Sequence, residues 1–322
     1  MPSYLPHVCA VLPQEWQAAV LATDQQLLAG LQEIRIRQGQ PVLGYGAQGE
    51  LWLCSQGFVA SARSPIVADQ LAVRHLLATI SQSSLYALEE ELRSGYVTIP
   101  GGHRVGLCGR AVLENGRVKS LKYITGFNLR LAKQVVGCAQ PLLPRLLKTD
   151  GIPHSVLVVS PPQAGKTTLL RDLARSLSKG LFGLARGMKV VVVDERSELA
   201  ACYQGVPTLD LGPRCDVLDA CPKAEGMLMA LRALSPEVLI TDEIGRPEDA
   251  AAVMEALHSG VTVISSAHAN NLAELELRPV FRQLLGSQSF GRYVLLSTRL
   301  GPGTIEAVLD REGGRSGVSV AT

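Results

Sequence analysis

With 322 residues, and roughly 100 to 200 expected per domain, the chain is long enough for two domains with separate cores and too long for one small binding module. Apolar residues at 47% and charged residues at 19% exclude a disordered chain, and a net charge of +2 supplies no general attraction for a nucleic-acid backbone. The seven cysteines are odd in number and form no Cys-x-x-Cys pair, which reads as reduced thiols.

From Pro2 to Gly30 the spacing of Val11, Trp16, Val20, Leu21, Leu27 and Leu28 predicts short amphipathic helices. No basic stretch precedes an apolar run here, and no window reaches the roughly 18 apolar residues of a membrane span, so the expectation is a soluble, unexported, cytoplasmic protein. Glu33-Ile34-Arg35-Ile36-Arg37 alternates as a half-buried strand does, and Pro41–Tyr45 and Glu50–Leu53 read as further short strands. Helices are expected over Val67–Ser81 and Tyr86–Arg93, the second stopped by Gly95. Strand-like alternation returns over Gly95–Gly109 and Lys119–Leu131, with Glu114-Asn115-Gly116 a strong hairpin turn signal. The first part, 1–140, is expected to be a smaller α+β domain.

A linking helix is expected over Pro141–Lys148, and a second domain over 141–322. Its character changes: Ser155–Val159, Val190–Val193, Val238–Ile240 and Val261–Ile264 are short, wholly apolar runs separated by helical stretches. Strands apolar on both faces imply a mainly parallel sheet covered by helices, an α/β fold. Arg292–Ser297 and Thr304–Leu309, joined through Gly301-Pro302-Gly303, read as a closing hairpin at the sheet edge, and Glu312–Thr322 as a frayed end. Cys215 and Cys221, with Asp216 and Asp219, are too loosely spaced to read as a metal cluster.

The first apolar run passes directly into Ser160-Pro161-Pro162-Gln163-Ala164-Gly165-Lys166-Thr167-Thr168 and then a helix. Strand, loop and helix in that order make a phosphate cradle: loop amides around the phosphates, Lys166 on the outer two, and the Thr167 hydroxyl on Mg²⁺. Ser160 stands where the pattern has its first glycine, so the turn must avoid a left-handed conformation there or bear strain of roughly 1 kcal/mol. Two acidic pairs end later strands, at Asp242-Glu243 and Asp194-Glu195. Asp242 is a candidate for holding Mg²⁺ through water, and Glu243 or Glu195 for polarising the attacking water. His268 ends the next run and is placed to sense a terminal phosphate.

These motifs, with Gly101–Arg110, Asp194–Glu198, Thr241–Arg246 and Ser266-Ala267-His268, resemble the stage III sporulation protein AA family, a branch of the type II/IV secretion ATPases of endospore-forming bacteria. The likeness covers nearly the whole chain. It implies a RecA-like P-loop core, with nucleotide sites between subunits of a hexameric ring, that uses ATP and Mg²⁺. Walker A, Asp-box, Walker B and His-box residues then fall on Lys166, Glu195, Glu243 and His268. The family's N-terminal-domain arginines match Arg104, Arg110 and Arg130 here. The implied function is ATP hydrolysis that energises a sporulation channel or secretion assembly, with its membrane proteins as partners and the mother-cell cytoplasm, peripheral to the membrane, as location. Two alternatives stand beside it. A RecA-like nucleic-acid motor needs a basic, aromatic-lined groove, and aromatic residues are 4% of the chain. A nucleotide-binding ring scaffold without turnover would accommodate Ser160.

Overall fold

A computed structural model describes residue 2 and residues 4–81, 95–286 and 289–311; the helix expected at Tyr86–Arg93 and the tail from Glu312 lie outside the described residues. The chain divides into two units, residues 1–133 and 134–322.

The first unit begins with three short helices, α1 (Leu5–Val11), α2 (Gln14–Leu21) and α3 (Gln25–Gly30), as the N-terminal periodicity predicts. Asp24 caps α3 by accepting from the amides of Gln26 and Leu27, a contact that supplies helix-start donors with partners. A seven-stranded antiparallel sheet follows, in the order β4-β3-β2-β1-β7-β6-β5. Its strands are β1 (Leu31–Arg37), β2 (Leu43–Gly46), β3 (Gly49–Cys54), β4 (Gly57–Val59), β5 (Tyr96–Ile99), β6 (His103–Glu114) and β7 (Arg117–Arg130), with α4 (Gln70–Ser81) between β4 and β5. Alternation explains the layering: Ile34 and Ile36 are buried while Arg35 and Arg37 face out. One face therefore packs with Val8, Trp16, Val20 and Leu76 of the helices into a single core. The β6–β7 turn has positive φ at both Asn115 and Gly116, and Glu114 pairs with Arg117. That is the two-residue turn Asn-Gly favours, because its backbone twist matches the twist of the paired strands.

The second unit carries the other seven-stranded sheet, in the order β10-β9-β11-β12-β8-β13-β14. These strands are β8 (Val156–Ser160), β9 (Val190–Asp194), β10 (Cys215–Asp219), β11 (Val238–Thr241), β12 (Thr262–His268), β13 (Arg292–Ser297) and β14 (Thr304–Leu309). Every neighbouring pair is parallel except β13 with β14. The linker helix shrinks to one turn, α5 (Leu143–Leu146), because Leu147 is extended. Longer helices are α6 (Lys166–Lys179), α7 (Lys223–Ala233) and α8 (Pro247–His258), followed by α9 (Leu272–Glu276) and α10 (Pro279–Gly286). Alternate residues of each strand enter two separate cores. Val156, Val158, Val190 and Val192 meet Leu169, Leu170 and Leu173 of α6 on one face. Leu157, Val159, Val191 and Val193 meet Met227 of α7 and Val253 of α8 on the other. Burial on both faces is the physical reason these strands read as unbroken apolar runs.

Among the described residues, no helix is long and apolar enough to cross a membrane, no group of histidines, cysteines and carboxylates has the arrangement of a metal site, and all seven cysteines are free thiols.

Candidate nucleotide site

Parallel strands deliver their last residues to one edge of the sheet. The register sets Ser160 of β8 beside His268 of β12, and Thr241 of β11 beside Val193 of β9. The functional letters of four strands thus converge without any long loop. A cleft of about 390 Å³ lies there, lined by Pro162, Gln163, Gly165, Lys166, Thr167, Thr168, Arg196, Glu198, Asp242, Glu243, His268 and Pro302.

The loop between β8 and α6 solves the problem posed by Ser160 by displacement. Positive φ occurs at Gln163 (62°) and Gly165 (90°), while Ser160 stays in the strand, fully buried. The strain falls on Gln163, whose side chain is exposed. Gly165 serves a second purpose: a Cβ there would lie 3.0 Å from the Gly303 amide, and that amide donates to the Ala164 carbonyl at 2.9 Å. The β13–β14 turn therefore rests on the loop. Gly165 offers no side-chain cap, so the first-turn amides of the 14-residue α6 have no capping acceptor. Those donors, with the positive end of the helix dipole, are what a phosphate group requires.

Lys166 is 7% exposed. Its ammonium donates to His268 Nδ1 at 2.8 Å and lies 3.4 Å from Ser160 Oγ and 3.5 Å from the Pro161 carbonyl. Burial pushes its pKa down, while Asp242 and Glu243 pull the other way. With Nδ1 accepting, a neutral His268 ring carries its proton on Nε2, which sits 3.4 Å from Glu243 Oε2. Arg196 Nη1 approaches the same oxygen at 3.8 Å. Lysine, histidine, glutamate and arginine form one continuous chain across the cleft.

Asp242 is held differently. Its Oδ1 accepts from the Glu243 amide at 2.8 Å and from Ser266 Oγ at 3.1 Å, and Ser265 Oγ donates to its carbonyl at 3.2 Å. Among the described residues, Oδ2 accepts no hydrogen bond and the Thr167 hydroxyl makes none with another side chain. Two hard oxygen donors beside one cleft suit Mg²⁺.

Asp194, 1% exposed, accepts from the amides of Glu198 at 2.9 Å and Ala200 at 2.9 Å. Burial raises its pKa, and those amides counter the rise. From the opposite side, Arg171 of α6 donates to the carbonyls of Leu199 at 2.7 Å and Glu198 at 2.6 Å. The segment after β9 is thereby fixed to the loop helix. It brings Arg196 and Glu198 to the cleft, two residues that sequence reasoning did not single out, although both lie in Asp194–Glu198. Pro302 was likewise read only as part of a turn. Glu195 does not line the cleft; it is ion-paired with Lys223 at the start of α7, whose side chain is 9% exposed and whose charge needs an opposite partner. That bond holds the Glu195 carboxyl below its usual range.

Arg104, Arg110 and Arg130 belong to the other unit. Arg104 and Arg130 are cross-strand neighbours on β6 and β7, Arg110 faces Lys122, and the Arg104 guanidinium lies 4.8 Å from the centre of the Tyr96 ring.

The fold is one found in ATPases of known structure. The structure of the Legionella pneumophila ATPase DotB matches with a TM-score of 0.55 at 15% identity, covering 84% of this chain and 73% of that one. The pilus retraction motor PilT, solved with bound ADP, matches with a TM-score of 0.53 at 15% identity, covering 84% and 75%. The chain belongs to the family described as sporulation stage III, protein AA, whose model matches residues 9–316. Stage III sporulation protein AA of Bacillus subtilis strain 168 is 45% identical over 306 residues, covering 95% of each chain.

Proposed function

We propose that the chain is an ATP hydrolase with a RecA-like core, acting as a ring, most simply a hexamer, that energises a sporulation membrane assembly. The observation that carries the chemistry is the convergence in one cleft of an uncapped helix N-terminus, the buried Lys166, and the Glu243–His268 pair. Loop amides from Pro161 to Thr168 cradle the phosphates. Lys166 exchanges its 2.8 Å contact with His268 for the outer phosphate oxygens. Release of the imidazole gives His268 a new position in each nucleotide state. Glu243 accepts the proton of the attacking water. Thr167 and, through water, Asp242 would hold Mg²⁺, which would supply neutralisation of phosphate charge. Glu195 acts at one remove, by fixing Lys223 beside the same segment.

Family membership supports the cellular reading: partners are further copies of the chain and the membrane proteins of a sporulation channel, with no nucleic acid, and the protein works in the mother-cell cytoplasm, peripheral to the membrane. Subunit-shared sites would give Arg104, Arg110 and Arg130 a nucleotide to face.

The test is Mg-ATP hydrolysis across a range of protein concentrations. Turnover per chain should rise with concentration, and Lys166→Ala and Glu243→Gln should each lower it at least ~100-fold. Persistent turnover in Lys166→Ala would overturn the site. Nucleotide binding without turnover by the native chain at every concentration would favour the scaffold reading.

A further inference from the structure

We propose that Arg196 is a catalytic residue supplied from within the same subunit: its guanidinium leaves Glu243 and engages the γ-phosphoryl oxygens as the transition state forms. This rests on the ATPase reading of the cleft and adds to it a cation that neither the P-loop nor the arginines of the first unit provide.

Arg196 lines the cleft together with Lys166, Thr167 and Glu243, yet 60% of its side chain is exposed, and its contact there is a loose 3.8 Å ion pair with Glu243. An exposed pair at that distance contributes little to stability, so it offers little resistance to a stronger partner. The backbone beneath it is the reverse. Asp194 holds the amides of Glu198 and Ala200, Arg171 holds the carbonyls of Glu198 and Leu199, and Ser197 Oγ donates to Asp219 at 2.6 Å. Ser197 itself has φ of 52°, a left-handed conformation that a serine keeps only where its surroundings impose it. A rigid, strained base carrying one exposed, loosely paired cation beside the phosphate loop is the arrangement of a preorganised charge stabiliser.

Charge explains the order of events. Lys166 alone is a compact ammonium committed to the outer phosphates, whereas a guanidinium presents a planar fork that matches two phosphoryl oxygens at once. In the reaction, the water oxygen forms a bond to the γ-phosphorus as the bond to the β,γ-bridging oxygen breaks. ADP leaves with that electron pair, and the water proton passes to Glu243. Movement of Arg196 from Glu243 toward the phosphoryl group thus places a planar cation on the developing charge.

The experiment measures Arg196→Ala and Arg196→Lys in the full chain, with Lys166→Ala alongside. Readouts are ADP affinity, affinity for ADP with aluminium fluoride as a transition-state mimic, and steady-state ATP turnover. The expected result for Arg196→Ala is ADP affinity within about threefold of native, turnover lowered roughly 100- to 1000-fold, and loss of the extra affinity that fluoride confers. Arg196→Lys should recover only a small part of each. Native turnover in Arg196→Ala, or an equal loss of ADP and ADP-fluoride affinity, would overturn the role. Native-like nucleotide affinity in Lys166→Ala would show instead that the cleft itself is misassigned.

Discussion

The two seven-stranded sheets bury comparable cores by opposite means. In the first unit strands such as β1 and the start of β6 have one wet face, so charged and apolar residues alternate and arginines stand beside the residues that hold the sheet together. In the second, β8, β9 and β11 are buried on both faces, and polar chemistry is driven to their carboxyl ends. The consequence is a division of labour: the parallel sheet concentrates its few polar groups in one place, while the antiparallel sheet distributes many over a surface. A polar side chain at the end of a buried strand is already poorly solvated, which is why Asp194 has a raised pKa, and Lys166, buried beside those strand ends, has a lowered one.

The largest effect that would test this comparison is at Asp194. Replacing it with alanine orphans two amides beside the cleft and releases the segment that presents Arg196. The loss of two charge-assisted bonds is expected to cost roughly 3 kcal/mol in denaturant unfolding of the second unit. Turnover should fall as well, although Asp194 does not line the cleft. Restored stability in Asp194→Asn without restored turnover would separate the structural part from the positioning part. A change below about 0.5 kcal/mol in the alanine variant would mean that the buried strand ends are less demanding than argued.

The first unit has its own exception, His103, which is 1% exposed at the start of β6 and accepts from the Ala132 amide at 3.0 Å through Nδ1. Burial, with His7 nearby, lowers its pKa from 6.5 to about 4. The folded state therefore resists the proton that the unfolded chain takes up below about pH 6.5. Stability is complete above that value and falls as the pH drops toward 4. Between pH 7.5 and pH 5 this single group should remove about 2 kcal/mol. Urea unfolding of the first unit at both values checks it, with His103→Asn as the comparison: the variant should lose that part of the pH dependence whatever its absolute stability. An unchanged slope would assign the acid sensitivity elsewhere.

Sequence patterns revealed what burial on two faces or one face imposes. The apolar runs of β8, β9, β11 and β12, the alternation of β1 and the Asn115-Gly116 turn were all legible for that reason. Strands without such pressure were not. β10, Cys215–Asp219, carries two aspartates at the sheet edge and is only half-buried, and β4 is three residues long. Likewise in the site, Asp242, Glu243 and His268 follow directly from strand ends, and Lys166 from the strand–loop–helix motif. Arg196, Glu198 and Pro302 do not, because their positions depend on the path of loops fixed by Asp194, Arg171 and the Gly303–Ala164 hydrogen bond. The displacement of backbone strain from Ser160 to Gln163 belongs to the same class: letters fix that a tight turn exists, and packing fixes which residue bears it.

The smallest expected effect is the most discriminating for the antiparallel sheet. Arg110 stands directly across from Lys122, as Arg104 does from Arg130, and like charges facing each other on a sheet are unfavourable. Arg110→Ala should leave the first unit as stable as before or a few tenths of a kcal/mol more so, measured by its denaturation midpoint. The same variant assayed for ATP turnover at high protein concentration separates two explanations for keeping such a pair. A more stable but slower enzyme would mean that the cations are held against electrostatic cost for a phosphate supplied by another subunit. Native turnover in Arg110→Ala would remove that residue from the site and leave the surface of β6 and β7 as a solvated sheet face, the ordinary fate of arginines on an exposed strand.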